Sequence, residues 1–396
     1  MSLAQASTGL RGSRLRLLPL DYWLLGAALL LLGLGLVMVA SASLPIAGRH
    51  FGAPFHYLIR HGIAVTIALV AAAAAFATPM AWWEKSGTVL YFLGILLLLL
   101  VLVPGLGKTV NGATRWIPLG PFSLQSSEFM KLFAVIYIAG YLVRRSAEVS
   151  TRLSGFAKPL LLISVACALI MVQPDFGTTA VLLATVLGLL FLGGVPVWQF
   201  GVLLGLVAVL LSALVIWEPY RLERVTTFVN PWADPFGSGY QLSQALIAFG
   251  RGEWLGVGLG NGIQKQFFLP EAHTDFLMAV IGEELGFVGT LVVVLLFAFI
   301  VWRAFQIGTL AEKLKQRFSA YVAYGLGLGL GLQAFINVGV NIGLLPTKGL
   351  TLPLMSYGGN SVILACMVIA VLLRVDYENR RLAAGSKRRG GETWDW

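Results

Sequence analysis

Long apolar runs alternate with short polar breaks along this chain, and the runs have the length that crosses a bilayer. A helix needs ~20 residues to span the hydrocarbon core. The pattern predicts ten such spans, near residues 22–43, 58–77, 87–103, 126–143, 158–172, 177–193, 196–217, 275–302, 319–343 and 356–375. The breaks at 173–176 and 194–195 are very short, as between antiparallel neighbours. Gly325, Gly327, Gly329 and Gly331 recur at period two inside a span, which spreads them around the helix and predicts close packing against neighbours. Residues 218–274 are different: too long for a connector and rich in Gly, Trp, Asn and charge. Loops of that length are usually functional. The expected fold is an all-α integral membrane protein of about ten transmembrane helices, with one large external loop between spans 7 and 8. Residues 21–376 would form the membrane domain, flanked by cytoplasmic tails at 1–20 and 377–396.

Composition agrees. Hydrophobic residues make up 58% of the 396 and charged residues 12%, with a mean hydropathy of +0.83. A soluble domain carries about a quarter charged residues. The net charge of +10 would suit a nucleic-acid binder, but its placement does not. Arg11, Arg14 and Arg16 precede the first span, and Arg374, Arg380, Arg381, Lys387, Arg388 and Arg389 follow the last. Eighteen of the 28 Lys and Arg fall at the termini and in the second, fourth and eighth inter-span loops. The positive-inside rule therefore puts both termini in the cytoplasm, and no nucleic-acid partner is expected. Basic residues, an apolar run and Ala40-Ser41-Ala42 resemble a signal peptide, yet the run exceeds the ~7–15 residues of a cleaved apolar core, so it reads as a retained span. Cys167 and Cys366 sit in apolar runs, and His50, His56, His61 and His273 have no metal-ligand spacing, so neither a disulfide framework nor a zinc site is expected.

The chemistry-bearing residues fall into four stretches on the external side. Lys108 to Pro121, carrying Arg115 and Trp116, leads into Gln125-Ser126-Ser127-Glu128 and Lys131. Glu128 and Lys131 are three apart and can pair on one helix face, while Ser126 or Ser127 could cap the fourth span. Gln173-Pro174-Asp175 reads as a turn and helix start. The third stretch, Arg251 to Asp275, contains Gly256, Gly258, Gly260 and Gly262, then Pro270-Glu271-Ala272-His273-Thr274-Asp275. The glycines lack the strand and soluble helix of a dinucleotide site, so they predict a tight loop. Asp275 opens the eighth span, where free N–H groups and the helix dipole would hold a carboxylate ionised. Spacing alone does not separate a cap from a base. Glu283 and Glu284 lie deeper on the same helix and need partners or water. The fourth stretch, Asn341 to Ser361, holds Pro346, Lys348, Pro353, Ser356 and Asn360 and breaks helix at the membrane surface.

Together these stretches resemble the SEDS family (shape, elongation, division and sporulation), from Asp21 to about Asp376. The strongest parts are Lys108–Trp116, Gly120–Lys131, Gln173–Gly177, Gly256–Asp275 and Pro346–Ser361. Lys108-Thr109-Val110-Asn111-Gly112, Pro270–His273 and Lys348–Thr351 look more like the division branch than the elongation branch; Asn360 stands where the family usually has Ser. The resemblance implies a septal peptidoglycan glycosyltransferase of the bacterial inner membrane that polymerises lipid II into a growing glycan strand. It also implies a class B penicillin-binding protein as partner, beside other membrane proteins of the division complex. It carries the functional aspartate onto Asp275, which would be the catalytic base. Arg115, Lys131, Lys348, His273 and Ser356 would be substrate-binding candidates, Glu128 and Lys131 an ion pair, with a divalent cation (Mg or Mn) as a possible cofactor. An elongation-type polymerase and a lipid II flippase are the alternatives.

Overall fold

The computed structural model describes residues 20–110, 112–120, 122–203, 205, 230–237, 239–346 and 349–390. The expected seventh span, 196–217, lies mostly outside these, as do the N-terminal tail and Lys348. Helices α1 (Tyr22–Phe51), α2 (His56–Ala77) and α3 (Met80–Leu102) come first. A three-stranded antiparallel meander follows: β1 (Lys108–Val110), β2 (Ala113–Leu119) and β3 (Phe122–Gln125). Then come α4 (Ser126–Arg144), the short α5 (Ser146–Thr151), α6 (Leu153–Val172) and α7 (Phe176–Leu192). The external loop contributes a 3-10 turn (Pro231–Ala233) and α8 (Tyr240–Gly252). The chain ends with α9 (Leu277–Lys313), α10 (Arg317–Asn341) and α11 (Gly359–Gly390). Eight of these helices are long and apolar enough to cross a membrane, and α7 is a shorter apolar helix at the position of the sixth expected span. The small sheet was not expected from the hydropathy pattern. Nor was the extent of α9 and α11, which continue past their apolar portions.

Helix α10 is the hub. Its glycines let several neighbours approach: a Cβ on Gly325 would meet Val135 of α4 and Leu189 of α7, and one on Gly331 would meet Val301 of α9. The period-two glycines therefore serve more than one face, as their spacing implied. Helix α4 is buried along nearly its whole length, while α2, α3 and much of α9 present apolar faces outward, as lipid-facing helices do.

Polar contacts mark the two ends of the bundle. At one end Asp21 caps α1 through Trp23 and Leu24 and pairs with Arg303 of α9 at 2.6 Å. At that same end Arg374 pairs with Glu378 at 2.7 Å, and the pair closes the turn between α2 and α3 by bonding the Phe76 carbonyl and the Met80 amide. Asp21 follows the basic N-terminal segment and Arg374 begins the basic C-terminal one, so the positive-inside rule assigns this end to the cytoplasmic side.

The external loop does not lie flat on the opposite end. Helix α9 is interrupted at Gly286, whose φ of 66° lies in the left-handed region. A Cβ there would stand 2.4 Å from the Gly256 nitrogen, so no side chain fits. Segment 253–258 fills the break with backbone hydrogen bonds. Val257 and Gly258 donate to the Glu283 and Glu284 carbonyls, and Phe287 and Val288 donate to those of Glu253 and Trp254. Irregular backbone at membrane depth is tolerated only when protein covers it in this way.

This orientation predicts a labelling pattern. With a cysteine introduced at exposed Phe236, an impermeant thiol reagent should label intact spheroplasts; with one at Arg145, only permeabilised ones. The reverse pattern would overturn the orientation.

Candidate active site

Glu283 and Glu284 are both fully buried, and each has its partners. Glu283 accepts from the Ile263 and Gln264 amides at 3.0 and 3.1 Å and faces Arg251 at 3.3 Å. Glu284 pairs with buried Lys265 at 2.6 Å and accepts from Ser41 of α1 and the Gly260 amide. Two carboxylates thus meet two cations, and the glycine-rich loop supplies the remaining donors. Ser41, part of the apparent cleavage motif, sits in the core as the bridge between α1 and α9.

Past this anchor the chain returns to the external surface at Asp275. The side chain does not cap α9, contrary to what its position in the sequence suggested. The helix begins at Leu277 with Phe276 as its cap residue. The Ala279 amide donates instead to Asn341 Oδ1 of α10, at 3.1 Å, besides the Phe276 carbonyl. Asn337 and Asn341 both donate to the Asp275 backbone carbonyl, at 2.9 and 3.0 Å. Asp275 is therefore fixed by its main chain, and among the described residues its carboxylate accepts no hydrogen bond. Burial pushes its pKa up to about 7; Glu271 and Asp175 push the same way and Arg115 opposes them. The expected low-pKa cap is replaced by a carboxylate poised near neutrality, where a general base works well.

The surroundings come from several elements. Arg115, on β2, donates to the Gln173 and Pro174 carbonyls at 2.9 and 2.6 Å, which ties the meander to the α6–α7 turn. Asp175 has two tasks: one oxygen accepts from the Thr178 amide and caps α7, and the other accepts from Ser127 at 3.0 Å. Ser127 thus serves Asp175, and the cap residue of α4 is Gln125, which makes no side-chain cap bond. His273 is buried between Tyr57 and Tyr357, with ring centroids 4.8 and 5.4 Å away. Burial lowers its pKa, so it is neutral at pH 7, and its Nδ1 has no partner among the described residues. The Ser356 hydroxyl accepts from the Leu352 amide within its own turn. Asn360 donates to the Ser123 carbonyl at 2.7 Å and ties α11 to β3.

Lys131 is not brought to Asp275. Its ammonium is buried inside the bundle, 2.9 Å from Glu128 and 2.6 Å from Gln333 of α10, beside a cavity of about 40 Å³. Gln333 passes the connection on to the Thr351 carbonyl. Sequence reasoning gave Asp175 the role of a turn and helix start, which its cap on α7 bears out, but it did not foresee the bond to Ser127 and missed Asn337 altogether. The available signal was a pair of asparagines at i and i+4 in an otherwise apolar span.

Removing one partner of a buried pair strands the other, typically for about 3–5 kcal/mol. Glu128→Gln and Lys131→Met should each lower the thermal unfolding temperature in detergent, and the swapped pair Glu128→Lys with Lys131→Glu should regain part of the loss. A swap no better than the worse single variant would argue against direct pairing.

The sequence model of the FtsW/RodA/SpoVE family, described as "Cell cycle protein", matches residues 22–381. A probable peptidoglycan glycosyltransferase FtsW from Allochromatium vinosum is 61% identical, over 95% of this chain and 94% of its own length. Its counterpart in Nitrosococcus halophilus is 57% identical over 91% and 93%. Among solved structures, a chain from a peptidoglycan synthase complex that coordinates polymerization and crosslinking superposes with a TM-score of 0.76 at 29% identity, covering 92% of this chain and 99% of that one. The rod shape determining protein RodA of Thermus thermophilus does so at 0.66 and 27%, covering 91% and 97%. With a family match along almost the whole chain and the same helical framework, this protein belongs to the FtsW/RodA/SpoVE family.

Proposed function

We infer that this multi-pass membrane protein is a peptidoglycan glycosyltransferase of the division type, polymerising lipid II at the outer face of the bacterial inner membrane, at the septum. The observation that carries the reading is Asp275: a half-buried carboxylate on the external face, with its pKa raised to about 7, in a chain 61% identical to a probable peptidoglycan glycosyltransferase. A sugar hydroxyl of one substrate attacks the anomeric carbon of the other. The new C–O bond forms as the bond to the pyrophosphate oxygen breaks, and the hydroxyl proton passes to Asp275. The lipid pyrophosphate leaves as an anion, so cations matter more than a second carboxylic acid. Arg115 would supply positive charge, and Lys348 would add to it. Among the described residues no three side chains are arranged to hold a metal by themselves. Glu271, an exposed carboxylate whose charge acts on Asp275, would be the donor that a pyrophosphate-borne Mg²⁺ or Mn²⁺ meets, in keeping with a metal held by one or two carboxylates plus substrate phosphates. Such an ion would neutralise charge on the leaving group. A class B penicillin-binding protein as partner fits the synthase complex whose chain this one resembles. The buried acids that would suit an ion-coupled flippase, Glu283 and Glu284, are instead engaged by Arg251, Lys265 and the loop amides.

Purified protein, with and without such a partner, should polymerise lipid II, and Asp275→Asn should lower the rate by ~10²–10⁴, the usual loss of a general base. Its fold should survive. With the folded-state pKa raised above the ordinary carboxylate value, this group's stabilisation is present at low pH and fades as pH rises through about 7. At pH 8 the neutral amide should therefore not lower the melting temperature. Near-normal polymer from a well-folded variant would remove Asp275 from the role of base.

The pH profile is a second test. The base must be ionised, so kcat/KM should climb as pH rises toward about 7 and level off above it. A rate flat from pH 5 to 8 would contradict a base with this pKa.

A further inference from the structure

On the cytoplasmic face, far from Asp275, a cavity of about 870 Å³ opens between α9 and α11. Its lining includes Trp302, Arg303, Gln306, Lys313 and Arg380. Trp302, Gln306 and Lys313 follow helical spacing, so they share one face of α9, and all three are exposed.

The level of this cavity in the membrane follows from the helices around it. Arg303 is the first charged residue after the apolar run that starts past Gly286. It meets Asp21 at the start of α1. Arg380 sits about 32 Å along α11 from Gly359, at ~1.5 Å per residue, close to the thickness of the hydrocarbon core. Three helices therefore put the cavity at the inner headgroup boundary. Trp302, with the Arg303 guanidinium 5.6 Å from its ring, is the kind of residue that sits there.

Charge then selects the ligand. Asp21 engages Arg303, and Asp376 accepts from Arg380 Nε at 2.7 Å, so both arginines are held in place. The paired arginines and carboxylates balance, and Lys313 adds a charge that no ion pair meets among the described residues. The Arg380 side chain remains partly exposed, with its terminal nitrogens available. An immobilised arginine and a free lysine, backed by apolar side chains at headgroup depth, suit a phosphate that carries acyl chains. We propose that this cavity binds the headgroup of an anionic phospholipid of the inner leaflet, its phosphate between Lys313 and Arg380 and its chains along the Trp302 side of α9.

The full-length protein in phosphatidylcholine nanodiscs, with or without phosphatidylglycerol, provides the test. Phosphatidylglycerol should raise the melting temperature, and native mass spectrometry should find it retained. Lys313→Glu and Arg380→Gln should weaken retention about fivefold for each unit of charge removed, from the usual worth of a basic residue near an anionic surface. Arg380→Gln leaves Asp376 unpaired and could unfold the protein; exposed Lys313→Glu then carries the test. Arg152→Glu, exposed on the same face but away from the cavity, should leave retention unchanged. The proposal is overturned if Lys313→Glu retains the lipid as wild type does. It is equally overturned if Arg152→Glu loses the lipid as readily, or if inorganic phosphate in pure phosphatidylcholine gives the same stabilisation.

Discussion

Two adjacent carboxylates inside the membrane, Glu283 and Glu284, are the constraint around which the external half of this protein is organised. An unpaired charge at that depth would cost several kcal/mol. Arg251, Lys265, Ser41 and the amides of the 256–264 loop remove the penalty, and all of them must enter the bundle to do so. The loop can enter because α9 breaks at Gly286 and offers its free backbone groups to residues 253–258. Charge pairing and backbone pairing occur at the same point, so neither is satisfied without the other. The path of the chain from Arg251 to Asp275 is the consequence.

Asp275 benefits from that path. A carboxylate at the start of a helix ordinarily accepts from the first-turn amides, which lowers its pKa. Here the Ala279 amide donates to Asn341 and to the Phe276 carbonyl, and Asn337 and Asn341 both donate to the Asp275 carbonyl. Position is thus enforced through the main chain, and the side chain is left to respond to burial and to the charges of Glu271, Asp175 and Arg115. Those three come from different elements, so the tuning depends on the α6–α7 turn, the meander and the loop keeping their places together.

The two faces of the membrane are built by different means. The cytoplasmic boundary is held by Arg–carboxylate pairs at helix ends, with Asp21 to Arg303 and Arg374 to Glu378 linking distant helices. The external boundary relies more on amides, aromatic rings and backbone carbonyls, among them Asn360 to Ser123, Tyr57 against His273, and Arg115 on the 173–174 turn.

Hydropathy, read along the sequence, sufficed for the membrane class and most of the spans, because lipid imposes on each helix a requirement that its own residues must meet. The Glu128–Lys131 pair was legible for the same reason, since a spacing of three sets two side chains on one face whatever lies around them. The prominence of Asp275 came from a motif, whereas its chemistry did not. Spacing made it a helix cap; only the arrival of Asn337 and Asn341, more than sixty residues later in the chain, released it from that task. Lys131 looked like a cation for the substrate until α10 placed Gln333 beside it in the core. Glu283 and Glu284 gave no hint of which partners they would find, because Ser41 lies some 243 residues from Glu284. Burial and long-range electrostatics belong to pairs of residues, and the pairs exist only once the helices have packed.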